Sequence, residues 1–150
     1  MSNKLSEELA IVAVIDPDNR ASSTTLSDAI DMAYHERVMF IIATGAMQAA
    51  RTVDFKVVEC ATSGGTYTPI SGLSITQLTG VDYNKQVIVN VQMSDLTDGY
   101  RYIKGRLYVG GVTGTGANEN TVIALAGNTR FSDAVTTTSY GDLASVDEIV

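Results

Sequence analysis

Few residues in this chain have the chemistry of an active site, and their spacing narrows the possibilities further. The 150 residues include a single histidine, a single cysteine and no tryptophan. His35 lies in Met32-Ala33-Tyr34-His35-Glu36-Arg37, with Asp31 and Glu36 nearby. A zinc site needs three or four convergent nitrogen or sulfur ligands, which one His and one Cys cannot supply. The same shortage leaves a Ser-His-Asp triad unsupported. Cys60 has no neighbouring base to generate a thiolate and reads as a small apolar filler at the end of a strand. Asp16-Pro17-Asp18-Asn19 offers oxygen ligands close together, but without the alternating positions and closing Glu of a calcium loop, so turn chemistry accounts for it. Gly110-Gly111-Val112-Thr113-Gly114-Thr115-Gly116 has the glycines of a phosphate cradle. It lacks the lysine, and another strand rather than a helix follows it. The remaining carboxylates are scattered singly over turns, with no glycosidase-like pair. The expectation is a protein without metal, cofactor or catalysis.

One cluster remains. Arg101, Lys104 and Arg106 concentrate positive charge, and Tyr102, Lys104, Arg106 and Tyr108 alternate so as to share one face of a strand. Two readings stand side by side. The row is a solvated face paired across strands with Asp or Glu, or it is a protein contact, since Tyr and Arg are enriched at interface cores. An aromatic row with polar neighbours also suits stacking on sugar rings, with Tyr67, Tyr83, Tyr102 and Tyr108 as the candidates.

The elements that would position these residues are strands. Val53, Phe55 and Val57 alternate with Asp54 and Lys56. Val87, Val89, Val91 and Met93 repeat the pattern, as do Ile103, Leu107 and Val109. Period-2 alternation wants one face buried and one wet. Leu9 to Ile15 reads as a strand stopped by the turn at Asp16–Asn19. Ser27 to Tyr34 reads as extended, with a short helix capped by Ser27 as the alternative. Arg37 to Thr44 is nearly all apolar, as in a strand buried on both faces, and Gly45 closes it. Tyr67 to Ile70 is an edge segment because Pro69 cannot donate to a central ladder. Ser71-Gly72 is a turn, Leu73 to Leu78 alternates, Ser94 to Gly99 is a turn, and Thr121 to Ala126 is the last strand. Eight or nine short strands with brief connections predict an all-β fold, an antiparallel β-sandwich of the jelly-roll type with extended N- and C-terminal arms. The division is 1–22 for an N-terminal arm and strand, 23–131 for the sandwich and 132–150 for a C-terminal tail.

Composition removes several partners. Formal net charge is −7 and 45% of residues are hydrophobic, which argues against a nucleic-acid surface and against docking on an anionic membrane. No apolar run approaches the roughly 20 residues that span a bilayer. The opening residues lack a basic region followed by a long apolar one, so no secretory signal is expected. A lone cysteine suits folding in a reducing cytoplasm. The tail is polar at Thr136–Ser139, acidic at Asp142, Asp147 and Glu148, and sparse in apolar residues until its end. It reads as terminal disorder, or as an arm that orders along a neighbouring subunit through Leu143, Val146, Ile149 and Val150.

The middle of the chain resembles a group of small head proteins of tailed bacteriophages. The resemblance runs through Val38–Met47, Thr52–Glu59, Gly65–Gly72, Ser74–Leu78, Asn84–Gln86 and Tyr100–Ile103, within roughly residues 25 to 112. It is a signature of strands and turns and contains no catalytic motif. It implies a jelly-roll decoration or cement protein on the outer surface of the phage head, a virion component made in the bacterial host cytoplasm. Its partners would be the major capsid protein and further copies of itself, as a dimer or trimer. Candidate contacts are then Leu9, Ile11 and Val12, on a strand that could add to a neighbour's sheet edge, the row Tyr102, Lys104, Arg106 and Tyr108, and the tail residues Leu143, Val146, Ile149 and Val150. A carbohydrate- or receptor-binding sandwich, and a head–tail connector or tail component, are the alternatives.

Overall fold

Strands with one apolar face gain stability by burying it against another such face, and the alternating runs of this chain do so in two antiparallel sheets. The computed structural model describes residues 9–111 and 116–129. In chain order the strands are β1 (Leu9–Asn19), β2 (Ser23–Leu26), β3 (Ile30–Asp31), β4 (His35–Met47), β5 (Arg51–Cys60), β6 (Thr68–Ser74), β7 (Leu78–Thr79), β8 (Gln86–Gln92), β9 (Tyr102–Gly111) and β10 (Asn118–Thr129). A 3-10 turn at Met93–Asp95 precedes β9, and no α-helix forms among the described residues. One sheet has the order β1-β10-β4-β8. The other has the order β2-β9-β5-β6, with β3 also on β9 and β7 also on β5. Taking β2 with β3, and β6 with β7, as broken edge strands gives two four-stranded sheets in a jelly-roll-like sandwich.

The core lies between the sheets. Phe40 of β4 and Phe55 of β5 meet across it with ring centroids 5.4 Å apart and planes tilted by 51°. Small neighbours make room: Ala124 of β10 pairs with Phe40 on one side and with Ala13 of β1 on the other. In the opposite sheet Gly105 of β9 lies under both rings. A Cβ there would stand 2.8 Å from Phe55 Cε2 and 3.1 Å from Phe40 Cε1. Gly105 also carries the break between β2 and β3. Its carbonyl accepts from the Ser27 N–H, and its N–H donates to the Ser27 hydroxyl at 2.9 Å. Ser27 therefore continues the edge as extended chain with its hydroxyl standing in for a backbone acceptor, and the helix that it would have capped does not form.

Several expected turns are continuations of strands. Beyond Ile15, β1 stays paired with β10 through Asp18 and Asn19, with a register shift at Asp16-Pro17. A strand at the sheet edge tolerates this because proline's missing N–H faces no partner. A second shift near Val12 puts Val12 and Ala13 on the inner side together, at 3% and 0% exposure, as one extra residue in a ladder does. Ser71-Gly72 likewise falls inside β6, where Gly72 takes the left-handed backbone (φ +82°) beside a shift in the β5 pairing. The Leu73–Leu78 segment is not one strand: Ile75–Gln77 leaves the ladder before β7. Gly45 does not close β4, which runs on to Met47.

The N-terminal strand, set apart from the sandwich in the sequence reading, is its edge. β1 pairs in cis with β10 from Leu9↔Gly127 to Asn19↔Glu119. Ala10, Val12, Ala13 and Ile15 are core, so leaving for a neighbour's sheet would strip four apolar side chains from their own interior. The tail at 132–150 lies outside the described residues.

Replacing Gly105 by Ala forces a methyl group against both phenylalanine rings. Overpacking of this kind costs about 1–3 kcal/mol. The expected result is a lower denaturation midpoint in urea at an unchanged slope. A midpoint equal to that of the parent chain would show that the rings can withdraw.

Candidate interaction surfaces

Each sheet of a two-layer sandwich turns its second face outward, and the two outward faces of this molecule differ in chemistry. On the β1-β10-β4-β8 sheet the register aligns outward residues in rows across all four strands. One row is Val14, Ile123, Ile41 and Ile88, and the next is Ile11, Leu125, Met39 and Asn90. Leu9 and Ala43 extend the apolar area at either end. Ile88 is 55% exposed and Leu9 38%, Asn90 is exposed, and the others are half-buried. With strands about 4.8 Å apart and same-face residues about 6.8 Å apart, the patch covers about 300 Å2. Patches of this size on a monomer are commonly functional.

The expectation for β4 is corrected here. Val38, Phe40 and Ile42 are buried, but Met39, Ile41 and Ala43 face outward and are half-exposed. A strand buried on both faces needs a layer on each side, and a two-layer sandwich supplies only one. The near-continuous apolar run was the signal for an apolar outer surface, and Val14, Met39, Ile41, Ile88, Ile123 and Leu125 are the members that the strand-by-strand reading did not single out.

On the opposite sheet, Tyr102, Lys104, Arg106 and Tyr108 do share the outer face of β9. The tyrosines at its two ends stand opposite acids, Tyr102 beside Asp31 and Tyr108 beside Asp54, while the two cations do not. Arg106 sits opposite Lys56 on β5 and Leu26 on β2, Lys104 opposite Val58, and Tyr108 opposite Asp54 and Thr24. Asp54 accepts from the Gln77 amide at 2.8 Å. The described ion pairs are Arg20 with Asp18 and Arg101 with Asp31, and neither involves Lys56, Lys104 or Arg106. The loop at 61–67 folds over this face. It covers Val58 and Cys60 and brings the Tyr67 ring to 4.8 Å from Lys104 Nζ. A groove of about 330 Å3 remains between the loop and β2, lined by Thr24, Leu26, Val58, Tyr67, Lys104 and Arg106 among others.

The aromatic residues do not form a single platform. Tyr67 is held by Lys104 and by its own hydroxyl, which donates to the Ser63 carbonyl at 2.9 Å. Tyr102 lies under the Arg101 guanidinium. Tyr108 stands six residues farther along the strand, about 20 Å away at 3.3 Å per residue. Tyr83 belongs to the turn before β8, where the Asn84 N–H reaches the Gly45 carbonyl of the other sheet.

The contact candidates therefore divide. Leu9 and Ile11 lie on the apolar face, and Tyr102, Lys104, Arg106 and Tyr108 on the opposite one. Val12 lies inside the core and cannot touch a partner. Leu143, Val146, Ile149 and Val150 fall outside the described residues. No group of three or more His, Cys, Asp or Glu converges among the described residues. Asp16–Asn19 is occupied differently: Arg20 donates to the Asp16 carbonyl, lies 3.8 Å from Asp18, and donates from Nε to Asn120 at 2.9 Å. No described helix is long and apolar enough to cross a membrane.

No protein family's sequence profile matches the chain, and no curated protein matches it. A chain in a solved structure of Desmodium yellow mottle tymovirus is similar at 9% identity with a TM-score of 0.38, over 81% of this chain and 87% of that one.

At one end of the sandwich, His35 is buried at 7% exposure, and its Nδ1 has no hydrogen-bond partner among the described residues. Burial pushes the imidazole below its ordinary value, and the Asp31 carboxylate only partly opposes this. Burial also works to raise the Asp31 carboxyl, but bonds from Arg101 and the Ala33 N–H outweigh it and leave it below the usual range. A depressed histidine contributes stability above its unfolded value near 6.5, and that stability is lost as pH falls through the folded value. The Asp31 contribution persists until pH falls below about 3.9. Unfolding free energy should therefore fall as pH drops below about 6.5, and His35→Gln should flatten that slope. A slope unchanged in the variant would assign it to another group.

Proposed function

We propose that this chain is a non-enzymatic virion protein that decorates the head of a tailed bacteriophage and cements neighbouring major capsid proteins. The apolar outer face of the β1-β10-β4-β8 sheet is the observation that carries this reading. A patch of about 300 Å2 is well short of the roughly 800 Å2 that each partner contributes to a typical stable interface. One such contact is weak, and many copies on a repeating shell make it cumulative. The jelly-roll-like sandwich agrees with the resemblance to small phage head proteins. The absence of clustered chemistry among the described residues fits a role that asks only for shape and adhesion. Further copies of the chain, as a dimer or trimer, and the outer head surface belong to the same proposal. A head–tail connector or tail component would use the same face. A carbohydrate-binding role has less support, because Tyr67, Tyr83, Tyr102 and Tyr108 are dispersed and two of them are engaged by cations.

The test uses heads stripped of this component. The parent chain should co-sediment with them saturably, at a fixed ratio to the major capsid protein, and raise their resistance to heat. Ile88→Lys, at an exposed edge position, should change stability by no more than about 0.5 kcal/mol and weaken head binding by about tenfold or more. Thr24→Lys, on the opposite sheet, should leave binding unchanged. Equal binding by the parent and Ile88→Lys would overturn the assignment of this face.

A further inference from the structure

The groove over β9 is a cationic site on an acidic protein. Lys104 and Arg106 project into it, and Lys56 stands opposite Arg106. Like charges directly across a strand pair are destabilising, and no described carboxylate forms an ion pair with any of the three. Beside the cations the groove mixes Thr24, Ser63 and the glycines of the loop with apolar side chains. Val58 is fully buried beneath it, Leu26 on its β2 wall is 48% exposed, and Tyr67 forms the other wall. A fitting occupant carries negative charge with aliphatic side chains on either side of it.

Residues 142–150, Asp-Leu-Ala-Ser-Val-Asp-Glu-Ile-Val, have that chemistry: Asp142, Asp147 and Glu148 with Leu143, Val146, Ile149 and Val150, and no cation. We propose that this groove is the seat of the chain's own C-terminal segment, residues 142–150. Asp147 and Glu148 pair with Lys104 and Arg106, and the neighbouring aliphatic residues cover Leu26.

The connection is short enough to favour the chain's own segment. β10 reaches Thr129 opposite His35. His35 feels the charge of Asp31, and Asp31 pairs with Tyr102 at the start of β9. The last described strand thus ends at the same end of the sandwich as the start of the Tyr102–Tyr108 row. Residues 130–141 lie between, and at about 3.4 Å per extended residue they reach on the order of 40 Å. A tether of this length holds a segment near its site at an effective concentration on the order of millimolar, ahead of a free copy in dilute solution. This inference is independent of the reading as a head protein, and its test uses no heads.

A synthetic peptide of residues 142–150 is titrated against the chain truncated after residue 141 and against the full chain. The truncated chain should bind it saturably, and more weakly as salt rises. The full chain, already occupied, should bind at least about tenfold more weakly. Lys104→Glu with Arg106→Glu in the truncated chain should abolish binding. A peptide carrying Asp147→Lys and Glu148→Lys should fail on the parent groove and bind the reversed one, and that rescue also shows that the reversed chain folds. Amide resonances of Lys56, Lys104 and Arg106 should differ between the full and truncated chains. Three outcomes overturn the proposal. The first is no binding to the truncated chain together with unchanged groove resonances. The second is equal binding to both chains. The third is concentration-dependent dimers of the full chain that the truncation abolishes, which would give the groove to a second copy.

Discussion

The contact between Phe40 and Phe55, with Gly105 beneath them, sets the distance between the two sheets, and the rest of the molecule follows from that distance. Sheets packed face to face stand about 10 Å apart. Two phenylalanine rings meeting from opposite sides nearly fill that gap, so the residues around them must be small. Ala13, Ala124 and Gly105 meet that need, and each lies in a strand otherwise rich in branched side chains. The glycine also meets the sheet edge: Ser27 bonds both of its peptide groups, at the point where the edge strand breaks between β2 and β3.

A core only one layer thick fixes the other faces as well. Every strand residue that does not point inward points at solvent, and no helix among the described residues covers either sheet. The two outer faces take opposite solutions. The β9 face carries Lys56, Lys104 and Arg106 at adjacent positions and partly shields itself with the 61–67 loop. Among the described residues no loop covers the β4 face, which presents isoleucine, leucine, valine and methionine in two rows. For a chain of formal charge −7, general repulsion opposes non-specific clumping, which an apolar face of this size would otherwise promote.

Most of the fold was legible in the sequence because its signal is local. Val53-Asp54-Phe55-Lys56-Val57 and Ile103 through Val109 alternate cleanly, and their inner members are buried while the outer ones are not. The readings that differ come from residues whose local preference is outweighed by position in a sheet. Asp16-Pro17 carries every sign of a turn, yet on an edge strand neither residue owes a hydrogen bond to the missing neighbour, so the ladder passes through it as a bulge. Ser27 carries the sign of a helix cap, but its hydroxyl accepts from the Gly105 N–H of the neighbouring strand instead. The groove was half legible: the alternation of Tyr102, Lys104, Arg106 and Tyr108 placed them on one face. That Arg106 would meet Lys56 rather than an acid depends on register, which no single strand contains.

The β4 run is the case where a misreading is itself informative. Eight residues from Arg37 to Thr44, apolar on both faces after the first, belong in a three-layer protein. The described residues form two layers. The cost of leaving Met39, Ile41 and Ala43 in water, with Ile11, Val14, Ile88, Ile123 and Leu125 aligned beside them, falls on the isolated chain at about 25 cal/mol for each Å2 of apolar surface left exposed. A sequence that keeps such a face apolar on four separate strands gains nothing from it as a monomer. Among the described residues no third layer covers this face, and it is the area that the proposed attachment to a capsid would bury.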